Sequence, residues 1–273
     1  GNNMKKITFV ILMMLATSLY AKPIIINQSP KTSVMMGFTL AVQKNLGVES
    51  KFYQSRDCQD AARAYLKNDD SIIVYATDVP AAANPKGLEC EVEFTKDEVV
   101  LYTWQSFEIC HLPENTTALH DSETFGMSGM HPHNAWISEF NDKFNNNLRT
   151  RIFSGSGATA KGLIAKDIDW GFIASAVATP LVEKGILVCP YTTDPNSPNY
   201  FGNSYSVSLA DLRIKVLVLA RGADVELIRE GLQNTDFERY LNSSGYSHIQ
   251  YEMNDSQFEE FMKDYELLQQ SYD

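Results

Sequence analysis

Short apolar runs alternate with stretches in which apolar residues recur at helical spacing along most of the chain. The predicted strands lie at 24–26, 51–53, 72–75, 125, 151–153, 168–173, 186–188 and 214–220. Between the first two, Val34, Phe38, Val42 and Leu46 follow the three-to-four-residue period of an amphipathic helix. Strands that alternate with helices in this way are typical of an α/β fold with mainly parallel sheets.

The longest strand candidate covers 98–110 and reads EVVLYTWQSFEIC, which is long enough to pass from one lobe of a protein into another. A segment rich in Pro, Asn, Asp and Gly at 190–203 predicts a return loop. Three helical stretches close the chain, and Ser256 with Glu259 predicts a capping box at the start of the last one. Asp57 is the predicted N-cap of an earlier helix.

The first residues predict export from the cytoplasm. Lys5 and Lys6 precede an apolar run at 7–15, and small residues follow at 16–18 and at Ala21. This order is that of a secretory signal peptide cleaved after Ser18 or Ala21, and the run is shorter than the about 20 residues of a membrane span. We therefore expect residues 1–21 to be removed.

Charge and cysteine content narrow the class of partner. The chain has 23 Lys and Arg against 34 Asp and Glu, a net charge of −11, and loss of the signal peptide makes it more acidic. Nucleic acid and anionic membrane surfaces are therefore poor partners. Four cysteines in an exported protein predict two disulfides, with three pairings open.

Four loops rich in Ser, Thr and Gly follow predicted strands and lead into helices. They lie at 29–33, 77–78, 128–133 and 154–159. In open α/β sheets, loops at the carboxyl ends of the strands line the ligand crevice. Their hydroxyl groups, together with free N–H groups at helix starts, can bind an anion without Lys or Arg.

One segment carries a family resemblance. FSGSGATAKGLIAKDIDWGFI at 153–173, together with GMSGMHPHNA, SIIVYATDVPAAANP and the closing REGLQNTDFERYLNSSGY and DSQFEEFMKD, resembles the tripartite tricarboxylate transporter solute receptors (the TctC/Bug family). The likeness spans nearly the whole mature chain. The first loop departs from it, because the family's Pro-Gly-Gly-Ser-Thr-Asp is replaced by QSPKTS at 28–33.

The resemblance implies a two-lobed periplasmic-binding-protein fold of type II, a Venus flytrap with a mainly parallel sheet in each lobe. Residues 22–102 would form the first lobe, 103–201 the second, and 202–273 would return to the first. A monomer without a cofactor would capture a small carboxylate between the lobes and deliver it to a membrane transporter. The implied ligand-binding residues are Ser29, Thr32, Ser33, Thr77 and Asp78 in the first lobe and Ser128, His131, Ser154, Ser156 and Thr159 in the second. Lys31, which is foreign to the family's loop, adds a carboxylate partner.

This lobe division also predicts how the cysteines pair. Cys58 and Cys90 fall in the first lobe, and Cys110 and Cys189 in the second. A bridge between the lobes would lock the hinge, so we expect Cys58–Cys90 and Cys110–Cys189.

Three alternatives remain open at this stage. The Ser-Gly-x-Gly helix start is also similar to that of phosphate-binding receptors, although there the element comes early in the chain. Four histidines, His111, His120, His131 and His133, fall in one span and could bind zinc, but the last two straddle Pro132 in a predicted loop. A receptor could also serve a sensor or chemotaxis partner. Catalysis is not expected, because the sequence has no Gly-x-Ser-x-Gly elbow and no phosphate-binding Walker loop.

Overall fold

The computed structural model describes residues 22–28, 33–76, 92–128, 131–205, 213–222 and 224–270, and the side chains at 33–34, 131–135 and 267–270 lie outside this description. In chain order the elements are β1 (Ile24–Asn27), α1 (Ser33–Asn45), β2 (Lys51–Tyr53), α2 (Cys58–Lys67), β3 (Ser71–Ala76), β4 (Val99–Gln105), β5 (Phe107–His111), β6 (Thr124–Met127), α3 (His131–Phe144), β7 (Arg149–Ile152), α4 (Ser156–Ile164), β8 (Trp170–Ala174), α5 (Ser175–Glu183), β9 (Val188–Thr192), β10 (Ile214–Arg221), α6 (Val225–Leu232), α7 (Thr235–Ser243), β11 (Tyr246–Gln250) and α8 (Asp255–Gln270).

The described strands form two sheets. The first has the strand order β11-β4-β10-β3-β1-β2 and the second the order β7-β6-β8-β5-β9. The predicted strand over 98–110 is broken at Ser106 into β4 and β5, which belong to different sheets. The chain therefore crosses from one sheet to the other at Ser106, and it returns between β9 and β10. We call the neighbourhood of Ser106 the crossover.

The α/β class and the two-lobed fold are confirmed, but both sheets are mixed rather than mainly parallel. β1 pairs in parallel with β2 and β3, and β6 pairs in parallel with β7 and β8. The pairs that involve β10 or β5 are antiparallel. The physical reason is the crossing itself, because β5 and β10 enter their sheets from the crossover while their neighbours run towards it. The lobe boundaries at 102/103 and 201/202 remain an interpretation.

Several local predictions can now be compared with the structure. Asp57 caps α2, since the N–H of Asp60 donates to its Oδ1 at 2.8 Å. The predicted Ser256–Glu259 capping box is wrong, because the observed capping box lies two residues earlier in the chain. Asn254 and Gln257 make the reciprocal backbone-to-side-chain bonds there, at 3.0 and 2.9 Å, because α8 begins at Asp255.

Two predictions about loops and strands also needed correction. The loop predicted around His131 and His133 is instead the start of α3, which begins at His131. Pro132 therefore lies in the first turn of a helix, where a proline is tolerated. The strand predicted at 186–188 is β9, which begins at Val188 and continues to Thr192 through Pro190. β9 is the last strand in the sheet order, and proline is tolerated in edge strands.

One predicted disulfide is observed. Cys110 and Cys189 are bonded within the second sheet, with their Cα atoms 4.0 Å apart. Cys58 is also disulfide-bonded. Its predicted partner, Cys90, lies outside the described residues, so that pairing stays a prediction. None of the helices in the described ranges combines the length and hydropathy of a membrane span.

Candidate functional site

The register of the strands shows which ends face the crossover. β4 ends there at Gln105, which pairs with Ile214 and Tyr246 at the starts of β10 and β11. β5 begins there at Phe107, which pairs with Ala174 at the end of β8. β1 and β3 run in the direction of β4, and β6 and β7 run in the direction of β8. The carboxyl ends of the parallel strands in both sheets therefore point towards the crossover, the edge at which α/β proteins bind ligands.

The start of α4 is an open part of this edge. The chain leaves β7 through Ser154 and Gly155, and α4 begins at Ser156 without a side-chain cap. The N–H groups of Ser156, Gly157 and Ala158 have no acceptor among the described residues. A Cβ atom built at Gly155 or Gly157 would meet nothing within 4 Å. Unpaired donors next to open space are the features that allow a helix start to bind an anion.

Ser156 links the starts of two helices. Its Oγ accepts a hydrogen bond of 2.9 Å from the N–H of Ala174, the residue that immediately precedes α5. The starts of α4 and α5 therefore lie side by side. The hydroxyl hydrogen of Ser156 remains available as a donor.

Thr159 occupies a different environment from the serines. It is fully buried, and its hydroxyl donates to the carbonyl of Gly155 at 3.1 Å. Its methyl group lies close to Gly126 and Gly171, where a Cβ atom would be 3.1 and 3.0 Å from it. These two glycines pair across β6 and β8 and let α4 approach the sheet. The structure thus gives Thr159 a packing role, and its contact with a ligand stays a prediction.

The other predicted site residues beside the second sheet are Ser128, Ser154 and His131. Ser128 follows β6 and is half-buried, and Ser154 is exposed. His131 is the first residue of α3, but its side chain lies outside the described part. The structure therefore brings Ser128, Ser154, Ser156 and the start of α3 to one edge of the second sheet.

Of the predicted site residues beside the first sheet, only Ser33 falls in the described part of the chain. Ser33 is the first residue of α1, with its side chain outside the description. The other predicted positions, Ser29, Lys31, Thr32, Thr77 and Asp78, lie outside the described residues.

Gln28, which was not among the predicted site residues, connects two strands of the first sheet at this edge. It is buried, its Nε2 donates to the carbonyl of Ala76 at 2.9 Å, and its Oε1 accepts from the N–H of Ala76 at 2.7 Å. Gln28 therefore joins the carboxyl ends of β1 and β3. The signal in the sequence was the pair of polar residues, Asn27 and Gln28, that follows three isoleucines.

Glu108 is the second residue of β5, two residues after the crossover, and was not among the predicted site residues. Its Oε1 accepts hydrogen bonds from the hydroxyls of Ser175 at 2.9 Å and Thr192 at 3.3 Å. Burial raises the pKa of Glu108, the two hydroxyls act in the opposite direction, and the charge of Asp194 raises it further. A carboxylate of the chain itself thus lies at the start of α5.

The start of α5 is closed by further contacts. The N–H of Ser175 donates to the carbonyl of Ser106 at 3.1 Å. Gly245 in the α7–β11 turn approaches so closely that a Cβ atom there would lie 2.5 Å from that of Ala176. The start of α5 is therefore packed against the crossover and against the first sheet's part of the chain.

The described histidines are engaged in separate contacts. His111 Nδ1 lies 2.7 Å from the carbonyl of Leu112. His120 Nδ1 lies 3.0 Å from the hydroxyl of Tyr205. No group of three His, Cys, Asp or Glu residues suited to a metal ion occurs in the part of the chain that was described.

Solved structures with the same fold cover nearly the whole chain. A TctC solute binding protein from Polaromonas is 12% identical with a TM-score of 0.62, over 92% of this chain and 96% of that chain. The periplasmic binding protein BugD is 14% identical with a TM-score of 0.56, over 92% and 95%. MatC from Rhodopseudomonas palustris, solved with bound malate, is 12% identical with a TM-score of 0.51, over 93% and 99%.

No family model matches the sequence, and no curated protein matches it either. The likeness to solved structures, at this level of identity, concerns the fold. The chain therefore has the two-lobed α/β fold of these binding proteins, and the resemblance found in the sequence is confirmed at that level.

Proposed function

We propose that this chain is a periplasmic receptor that captures a small carboxylate anion in the cleft between its two sheets and passes it to a membrane transporter. The observation that carries the proposal is the open start of α4, where three N–H groups lack acceptors among the described residues and adjoin open space. Ser154 and Ser156 add hydroxyls at the same place.

The mode of binding follows from the charge of the protein. A chain of net charge −11 repels anions at long range, so affinity must come from short-range hydrogen bonds in a closed cleft. Each hydrogen bond to a charged carboxylate contributes about 1.5–3 kcal/mol. Such contacts are poorly screened by salt, so affinity should change little with ionic strength.

The proteins that share the fold support a binding role rather than catalysis. BugD is named as a periplasmic binding protein, and MatC was solved with bound malate. We therefore propose that the chain is not an enzyme, that it acts as a monomer after removal of residues 1–21, and that its partner is a transporter subunit. A sensor partner remains the alternative.

Phosphate or another oxyanion is the second candidate ligand, because oriented N–H groups at a helix start bind phosphate and carboxylate alike. The zinc hypothesis has no support among the described residues, as His111 and His120 are engaged with Leu112 and Tyr205.

A thermal-shift screen of the mature chain tests the proposal. The panel contains monocarboxylates, dicarboxylates, tricarboxylates, amino acids, phosphate and zinc. A ligand at a hundredfold excess over its Kd stabilises the folded state by about 2.7 kcal/mol. We expect a carboxylate to raise the Tm. A shift with phosphate alone or zinc alone, or none with any carboxylate, would contradict the proposal.

A further inference from the structure

Glu108 places a negative charge beside the proposed anion site. Ser156 bonds to the N–H of Ala174, and the next residue, Ser175, bonds to Glu108 through its hydroxyl. α4 and α5 lie against the same part of the second sheet, since Ala160 and Ala178 share one core cluster with Cys110 of β5. The open start of α4 and the carboxylate of Glu108 are therefore neighbours on one edge.

The carboxylate of Glu108 keeps unused hydrogen-bonding capacity. The hydrogen bonds from Ser175 and Thr192 both go to Oε1, and Oε2 has no partner among the described residues. Oε2 is not fully enclosed by those residues, so a ligand group can approach it. A carboxylate oxygen accepts hydrogen bonds only, so this oxygen is suited to an ammonium or hydroxyl donor.

A second observation points to unfilled polar capacity at the crossover. The Oγ of Ser106 is buried and has no hydrogen-bond partner among the described residues, and Ser106 is only 7% exposed. Its carbonyl accepts from the N–H of Ser175, and the Ser175 hydroxyl, which has one hydrogen to donate, lies 3.0 Å from this carbonyl and 2.9 Å from Oε1 of Glu108. Buried hydroxyls are nearly always paired, so the Oγ of Ser106 is an unusual polar atom two residues before Glu108 in the chain.

We propose that Glu108 recognises a ligand ammonium group, so that the molecule captured here is an amino acid rather than a dicarboxylate. The ligand carboxylate binds at the start of α4, and its ammonium group lies at Oε2 of Glu108. A second carboxylate in that place would meet a like charge in a partly desolvated position, where repulsion is strong. This inference rests on the proposed function and specifies its ligand class.

The test is calorimetric titration of the mature protein with two matched series. One contains amino acids from glycine to 6-aminohexanoate, and the other contains unbranched dicarboxylates of the same chain lengths. We expect the parent protein to bind its best amino acid at least about tenfold tighter than the dicarboxylate of equal length, which is the effect of one charge-assisted contact. Glu108→Gln should remove that preference, and Glu183→Gln, which neutralises an exposed glutamate at the end of α5, should keep it.

The pH dependence gives a readout that a purely structural role would not change. Preference for the amino series should fall as the pH is lowered and Glu108 becomes protonated. Asp194 is the charged group that acts on Glu108, and its charge raises the pKa of that carboxyl. Asp194→Asn should therefore move the loss of preference to lower pH, and this variant serves if Glu108→Gln does not fold.

The outcomes separate the two proposals. If the parent binds dicarboxylates tighter than amino acids, or if Glu108→Gln keeps the preference of the parent, the receptor function stands and this inference is wrong. If no carboxylate of any kind binds, the proposed function itself fails, and the inference fails with it.

Discussion

Helices α4 and α5 begin side by side at the same edge of the second sheet, and neither has a side-chain cap. The first three N–H groups of α4 have no acceptor among the described residues, and they adjoin open space. At α5 the first N–H bonds to Ser106, and the hydroxyl of Ser175 bonds to Glu108. A helix start is therefore a candidate anion site only where the fold leaves its donors unpaired.

The largest expected effect concerns the support that both helices share. Cys110 lies in the core cluster with Ala160 of α4 and Ala178 of α5. Its disulfide to Cys189 closes a sequence separation of 79 residues. Replacing both cysteines by alanine should lower the free energy of unfolding by about 4 kcal/mol, measured by denaturant titration without reductant. Hydrogen exchange should accelerate equally at the hydrogen-bonded amides of α4, which begin at Thr159, and of α5, which begin at Ser175. Faster exchange in one helix alone would mean that the two helices do not share this support.

The next effect isolates the contact that closes α5. Gly245 has φ +80° and lies against Ala176, whereas Gly185 has φ +69° and open space around it. Gly185→Ala should lower the free energy of unfolding by about 1–2 kcal/mol, because alanine is strained in the left-handed conformation. Gly245→Ala should cost about 1–3 kcal/mol more, because its Cβ atom overlaps that of Ala176. Equal free energies of unfolding for the two variants would mean that the contact at α5 yields without cost.

The smallest stability effect compares one serine from each helix start. Ser175→Ala removes the hydroxyl that binds Glu108, which should cost about 2 kcal/mol and leave the choice of anion unchanged. Ser156→Ala removes the acceptor of the Ala174 N–H, which should cost about 1 kcal/mol. Only the second variant should weaken the binding of carboxylates that lack an ammonium group, as seen by calorimetry. If Ser175→Ala weakened binding as much as Ser156→Ala, the distinction between an open and a closed helix start would be lost.

Much of the fold followed from periodicity in the sequence. The helix expected from Val34, Phe38, Val42 and Leu46 is α1, and the buried run at 214–220 is β10. β11 was missed because YSHIQ has little apolar character, and it pairs through an irregular register with His248 at φ +55°. α5 was missed because SAVATPLVE is short, rich in small residues and interrupted by a proline.

The candidate site was predicted only in part, for a different physical reason. The Ser and Gly loop at the start of α4 is a continuous segment, so its composition was enough to predict it. Glu108 is defined by Ser175 and Thr192, which lie 67 and 84 residues away. In the sequence it is a single acidic residue in an apolar strand, and only the pairing of β5 with β8 and β9 places it at a helix start.

A carboxylate introduced by mutation at the start of α4 tests directly whether the ligand's carboxylate binds there. Gly157 lies in the first turn of α4, and a Cβ atom there meets nothing within 4 Å. Gly157→Asp should therefore fold normally, since an acidic side chain at a helix start is favourable. Gly157→Asn is the matched neutral control.

Calorimetric titration with the best carboxylate ligand should show that Gly157→Asp lowers the affinity about a hundredfold or more, the loss of at least one or two charge-assisted hydrogen bonds. Gly157→Asn should lower it less than about tenfold, because its amide adds bulk without charge. If Gly157→Asp binds the ligand as tightly as the parent protein does, the start of α4 is not the anion site.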